Sequence, residues 1–501
     1  MAAPASTPTA GRLLGGFERF TVSKANILRP STVAFLASFQ AEPAGAIPHP
    51  VNPSTVKLAV GHLLRQYPLL RCGIAGGRTR TPSFAPRDDT SAEEVVVVVQ
   101  DEGKSEAQIL DDQVNIGLTF DGSRGPLWRV TLYEPSTAGA GPRLSLASAH
   151  TIADGSSIRN TFQRLLTLLH PLNQHKLSTL PELVSTLPPA LEETVDTKPN
   201  LRAMLRLVKD ELIKPKFRAI LPPRPPKLIP YPEPRNYEPI KTTLLRIPPA
   251  STAALKAAAK AHGLATLHPL LQGVILAAVV LASTAASRLK PGKKGRLNSI
   301  TPISLRDPKL GHPDLTGNYI SALSVDHSIA PSSSFFAVCR EYAARLNSPA
   351  GRTAAKHLMG ALALIPNPKP KPVKPGAVDE RGNKLYPVTG FDTYMIDHRD
   401  GVHPSEGDVS ISNLTILAAT GWEGEGFKVC WGQTVGPYEG PLTVSIMSIV
   451  GGEMTIVSNW IQGTMEENKM AERYVVALDK VVASLVSGVE EGVTIEKLAR
   501  D

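Results

Sequence analysis

Several things are scarce in this 501-residue chain, and each scarcity excludes something. Cysteine occurs three times, at Cys72, Cys339 and Cys430, far apart and odd in number. That pattern supports neither a disulfide framework nor a zinc cluster, and it suits a reducing compartment. Aromatic residues make up 5% of the chain, too few for a base-stacking nucleic-acid platform. The opening residues Met1 to Ala10 lack an apolar signal core and read as a disordered tail, so an intracellular, cytoplasmic chain is expected. One run, Leu270 to Ala286, is apolar, but about 17 residues is the lower limit for crossing a bilayer. It also contains Gln272, Ser283 and Thr284, so a buried helix is the reading, and no transmembrane segment is expected. No segment reads as an amphipathic membrane anchor.

Chemical motifs are equally sparse. Gly-x-Ser-x-Gly, Ser-x-x-Lys, Walker and dinucleotide-glycine patterns are all absent. His170, His175, His312, His327, His357 and His403 show no metal-ligand spacing. What stands out by elimination is a general base without a protein nucleophile.

Apolar residues make up 42% of the chain and charged residues 20%, which fits a folded protein of two domains or two similar halves. The net charge of +9 is concentrated in clusters such as 368 to 375 and Lys293-Lys294-Gly295-Arg296. Both read as solvated loops, with docking of a phosphate-bearing co-substrate as the other reading. Ser54 is placed to cap a helix carrying Val56, Val60, Leu63, Leu64 and Tyr67. The valine run Val95 to Val99 reads as the clearest buried strand. Residues 126–133 and 143–150 read as an antiparallel hairpin. Ile158, Phe162, Leu165, Leu166 and Leu169 then form one helical stripe of core residues. The proline-dense segment 220–239 separates domains at 11–219 and 240–501, and 364–387 reads as a mobile insertion. In the second half, strands are expected at 241–247, 297–305, 319–327, 408–418, 427–432 and 442–459, with helices at 248–263 and 266–287.

The most informative stretch is His150-Thr-Ile-Ala-Asp154-Gly155, at the end of the second hairpin strand. A histidine there can serve as a general base near neutral pH, or as a hydrogen-bonded core residue. Asp154 or Ser156 can cap the helix that follows.

His-x-x-x-Asp-Gly at 150–155 resembles the signature of the CoA-dependent acyltransferase superfamily, which includes chloramphenicol acetyltransferase, plant BAHD acyltransferases, condensation domains and fungal alcohol acetyltransferases. Other segments resemble the family in its order: His62 to Arg71, Pro126-Leu-Trp-Arg129, Pro302 to Arg306 with Gly317-Asn318, and Val429 to Gly432. Only Trp431-Gly432 remains of the BAHD DFGWG pattern, and Gly15-Gly16-Phe17-Glu18-Arg19 looks like the opening of the fungal alcohol acetyltransferase branch.

The resemblance implies an α/β (α+β) fold of two chloramphenicol-acetyltransferase-like domains, with mixed sheets flanked by helices and an active-site tunnel between them. It implies transfer of an acyl group, acetyl by expectation, from acyl-CoA to an alcohol, with His150 as general base and no acyl-enzyme. Asp154 would pair with Arg306 to hold the loop, and Gly155 would allow close backbone approach. Ser410, Ser412 and Asn413 are candidates for the oxyanion or tunnel wall. Lys293, Lys294 and Arg296 are candidates for the CoA phosphates. No metal, no permanently bound cofactor, no nucleic acid and a monomeric state are expected, and the branch allows peripheral association with the ER or lipid droplets. Two rival expectations are a secondary-metabolite or glycolipid hydroxyl or amine as acceptor, and a non-catalytic binding protein on the same fold.

Overall fold

The computed structural model describes residues 11–27, 31–41, 49–137 except 121, 139–208, 228–229, 239–306 except 287 and 291, 316–367, 373–374, 376–377, 386–400, 407–435 except 425, 440–465 and 469–499. The expected tail at 1–10, nearly all of the 220–239 segment and much of 364–387 lie outside these residues.

Strands are β1 (Arg12–Leu13), β2 (Thr32–Ser38), β3 (Cys72–Ala75), β4 (Ser83–Pro86), β5 (Val96–Asp101), β6 (Trp128–Pro135), β7 (Arg143–Ala149), β8 (Ile240–Ile247), β9 (Gly295–Ser304), β10 (Ile320–Ile329), β11 (Val409–Leu417), β12 (Lys428–Gln433), β13 (Leu442–Ile449) and β14 (Met454–Ile461). Helices are α1 (Gly16–Ile27), α2 (Pro53–Gln66), α3 (Ala92–Val95), α4 (Glu106–Asn115), α5 (Gly155–Leu169), α6 (Leu191–Thr194), α7 (Leu201–Val208), α8 (Pro249–Ala261), α9 (Leu267–Ala285), α10 (Phe335–Asn347), α11 (Pro349–Ala361), α12 (Gly390–Asp400) and α13 (Met470–Ser487).

Two mixed sheets carry the fold. The first runs β12-β2-β7-β6-β5 and the second β10-β9-β11-β13-β14-β8. Each is flanked by helices because its strands alternate two apolar faces. Val33, Phe35 and Ala37 on β2 join the core with Val60 of α2 and Phe162 of α5. Ala34 and Leu36, pointing the other way, meet Ile109, Leu110 and Val114 of α4. On the second sheet, Val409, Ile411, Val444 and Ile446 pack under α9 and α13. The opposite face brings Val457 and Ile461 to the same α4 cluster. Helix α4 is thus wedged between the two sheets and joins the lobes through a shared apolar core.

The expected hairpin forms as β6 and β7, paired antiparallel from Trp128↔Ser148 to Tyr133↔Arg143. The stripe of α5 is buried at all its expected positions. The apolar run of α9 is an internal core helix, buried continuously from Pro269 to Val280.

Four readings change. Val95 to Val99 is not a buried strand: Val95 closes the short helix α3, and β5 is an edge strand on which Val98 is 37% exposed. Among the described residues, β5 pairs with β6 alone, in parallel, and stands at the edge of its sheet. Helix α2 is capped by Asn52, not Ser54; the Asn52 side chain accepts from Ser54 and Thr55, with Pro53 at the first helical position. The expected strand 442–459 is a hairpin, β13 and β14. The boundary at 240 is crossed by chain exchange, because β12 pairs antiparallel with β2 and completes the first sheet. Helix α7 leaves Leu201 and Leu205, one turn apart, 73% and 60% exposed.

Candidate functional site

The site is built where β7 ends. Strand β7 is held on both sides by β2 and β6, so its exit is fixed, and the His150 N–H donates to Ser31 O at 2.7 Å. The His150 side chain is half-buried. Its ring meets the edge of Phe17 at 5.7 Å between centroids, and its Nδ1 lies 3.1 Å from Asn318 Oδ1. Phe17 belongs to α1, whose start is tied down by Glu18: its carboxylate accepts from Gly15 N and is paired with Arg12 at 2.7 Å. The Gly15-to-Arg19 segment singled out in the sequence therefore stands against the histidine.

Asp154 is fully buried. One carboxylate oxygen accepts from Ser157 N at 2.9 Å and caps α5, while the other accepts from Tyr319 N at 2.9 Å. Arg306 reaches across with both terminal nitrogens, at 2.8 and 3.0 Å. The same guanidinium donates to Ser157 Oγ at 2.7 Å and lies over the Tyr319 ring. Burial pushes the Tyr319 phenol up to about 12, and its hydroxyl donates to Pro189 O. Both oxygens of the Asp154 carboxylate are thus engaged by N–H donors, four in all. It serves as helix cap and as anchor for the 317–319 segment, whose Gly317 O accepts from Asp154 N at 3.0 Å. Gly317 takes a φ of 146°, and a Cβ there would come 2.8 Å from the Tyr319 ring, so glycine is required.

Gly155 differs from its expected role. A Cβ there would meet only the end of the Leu414 side chain, at 3.2 Å, so the close approach is to a flexible side chain and not to backbone.

The candidates on β11 separate by strand alternation. Val409 and Ile411 face α9, so Ser410 and Ser412 face the other lobe, and both are buried. They pair with Thr443 and Ser445 on β13, forming a small hydroxyl patch. Asn413 turns the other way. Its Nδ2 lies 3.4 Å from His268 Nδ1 and its Oδ1 accepts from Thr415 N, so its amide is committed to structure. The basic candidates are not brought to this site. Lys293, Lys294 and Arg296 lie at the Gly295/Ile329 end of the β9–β10 ladder, whereas Arg306 and Asn318 lie at its Ser304/Ile320 end. Ten residues of strand separate the two ends, about 30 Å. Arg296 is moreover paired with Asp326 at 3.2 Å. Among the described residues, no group of three or more His, Cys, Asp or Glu side chains is gathered as a metal set.

The residue that sequence reading left without a role is Asn318. It was visible only as the second letter of Gly317-Asn318. No local pattern connects it to a histidine 168 positions earlier.

The alcohol acetyltransferase family model matches residues 98–298, which include His150 and Asp154. No curated protein is similar to the chain in sequence. Among solved structures, the chain resembles the trichothecene 15-O-acetyltransferase of Fusarium sporotrichioides, with 12% identity, TM-score 0.65 and 95% of each chain covered. It also resembles the condensation domain of the monacolin K polyketide synthase, with 12% identity, TM-score 0.61, and 98% of this chain and 100% of that one covered. A third likeness is to polyketide synthase associated protein 5 of Mycobacterium tuberculosis, with 14% identity, TM-score 0.55, and 95% and 99% covered. The chain thus carries a region similar to alcohol acetyltransferases at residues 98–298, and it shares its fold with these acetyltransferase and condensation-domain structures.

Proposed function

We propose that the protein transfers an acyl group, acetyl in the first instance, from acyl-CoA to an alcohol hydroxyl, with His150 as the general base. The observation that carries this reading is the division of labour within one motif. Asp154 is consumed by Arg306, Ser157 and Tyr319, while His150 Nε2 makes no hydrogen bond among the described residues. The acceptor hydroxyl gives its proton to the His150 ring as its oxygen attacks the thioester carbon. The tetrahedral intermediate collapses, the carbon–sulfur bond breaks, and the proton passes from the ring to the departing sulfur, releasing CoA as a thiol. No enzyme nucleophile is needed, in keeping with the absence of an elbow or Ser-x-x-Lys motif. Ser410 and Ser412, facing the other lobe, are the oxyanion candidates that the alternation of β11 supports.

The test is thiol release from acetyl-CoA in the presence of a panel of alcohols. His150→Ala is expected to fold normally and to lose about 10² to 10⁴ in rate. Near-normal turnover in that variant sinks the assignment. Silence of the wild-type enzyme across the panel, with tight acyl-CoA binding, favours the rival reading of a binding protein.

A further inference from the structure

A histidine base needs a bare ring nitrogen, and the contact made by the other nitrogen decides which one is bare. His150 Nδ1 faces Asn318 Oδ1 at 3.1 Å. The orientation of that amide is dictated by its surroundings, because Asn318 Nδ2 donates to His150 O and to Thr151 O, each at 2.8 Å. Turning the amide over would set its oxygen against two carbonyl oxygens, three acceptors with no proton among them. An amide oxygen has no proton to give, so the contact with Nδ1 is attractive only when Nδ1 carries the hydrogen. A neutral imidazole then holds its lone pair on Nε2.

We propose that Asn318 is the positioning residue that sets both the tautomer and the aim of His150. This inference deepens the acyltransferase reading above and rests on it. Asn318 is 3% exposed and sits between two residues clamped to the motif loop. Gly317 O accepts from Asp154 N, and Tyr319 N donates to Asp154. The Asp154–Arg306 pair therefore reaches the ring through Asn318. It secures a three-residue segment whose middle side chain holds the base from one side, while Phe17 closes another. The choice of an amide has a reason. A carboxylate at 318 would meet two carbonyl oxygens at hydrogen-bond distance, and its charge would favour the imidazolium, which must release its proton to sulfur.

The tautomer can be read without activity. Ring ¹⁵N–¹H correlation spectra of the wild-type protein, with the His150 signal identified by its loss in His150→Ala, are expected to show Nδ1–H. An Nε2–H tautomer in the wild type overturns the proposal. Asn318→Leu is expected to lower kcat by about 100-fold, with KM for acyl-CoA little changed and mixed tautomers in the spectrum. Asn318→Asp, which keeps the acceptor, is expected to retain Nδ1–H. A Leu variant with unchanged kcat and a pure Nδ1–H ring also overturns it. If that variant fails to fold, the wild-type and Asp spectra still decide. Should His150→Ala remain active, the acyltransferase assignment fails while the wild-type spectrum still reads the Asn318 contact, so the two failures are separable.

Discussion

At the scale of single residues, the motif splits into one side chain with a ring nitrogen to spare and one whose every lone pair is taken. Asp154 is fully buried and Arg306 is 11% exposed, so the pair is desolvated on both sides. Removing one member strands the other. Asp154→Ala is expected to destabilise by about 3–5 kcal/mol, with lost capping of α5 included in the penalty. Arg306→Met should cost a similar amount, and the double variant should cost clearly less than the sum, because no buried charge then remains. Urea unfolding of the three variants gives this cycle. Additive effects, or an unchanged unfolding midpoint with a large loss of rate, contradict the structural role. The sequence shows Asp154 and Arg306 as residues of the right type. Nothing local in it says that they meet across 152 positions, and only the family likeness suggested the pair.

At the scale of elements, the second lobe carries two histidines that the proposed chemistry does not use, one buried on β10 and one partly buried at the start of α9. His268, at the start of α9, contacts the Tyr342 hydroxyl through Nε2 at 2.9 Å, and that hydroxyl meets Thr301 Oγ1 at 2.7 Å. His327 on β10 meets Ser299 on β9 at 2.9 Å. Burial pushes both imidazoles down to about 4. An unfolded histidine titrates near 6.5, so between these values the unfolded chain binds protons that the folded chain refuses. The stabilisation from each neutral ring is complete above about pH 6.5 and fades as pH falls toward 4, by up to roughly 3 kcal/mol per histidine. Stability by urea unfolding should therefore drop between pH 7 and pH 4.5, and His268→Gln with His327→Gln should flatten that drop. An equally steep fall in the double variant assigns it to other groups. Helices α2, α5, α8 and α9 and most strands of the second half were legible because 3.6- and 2-residue periodicities are local. The valine run misled because residue type reports strand propensity, whereas exposure depends on whether a second strand pairs alongside.

At the scale of the molecule, the lobes are interlocked. Strand β12, from the second half of the chain, stacks Trp431 on Phe35 of β2 at 5.7 Å, and α4 is buried between the sheets. Leu414 and Leu417 of β11 also enter the first lobe's core. Residues 11–219 produced alone would leave the β2 edge unpaired and the faces around Trp431 and α4 uncovered. That fragment is expected to aggregate or to unfold without a cooperative transition by calorimetry. A fragment that melts cooperatively at the temperature of the intact chain would show that the exchange is dispensable.

Read by itself, the chain determined the strand that ends at His150, the capped helix behind it, the core stripe of α5, the internal character of α9, and the absence of a nucleophile motif. All of these follow from composition, spacing and capping within a few turns of chain. Tertiary structure alone decided that β12 completes the first sheet, that β5 is an edge, that Lys293 and Lys294 stand a strand's length from the histidine loop, and that Asn318 grips His150. Each of these depends on which distant segments share a sheet or a buried surface. Pairing across long sequence separations is settled by the packing of the whole, and a linear pattern has no period in which to record it.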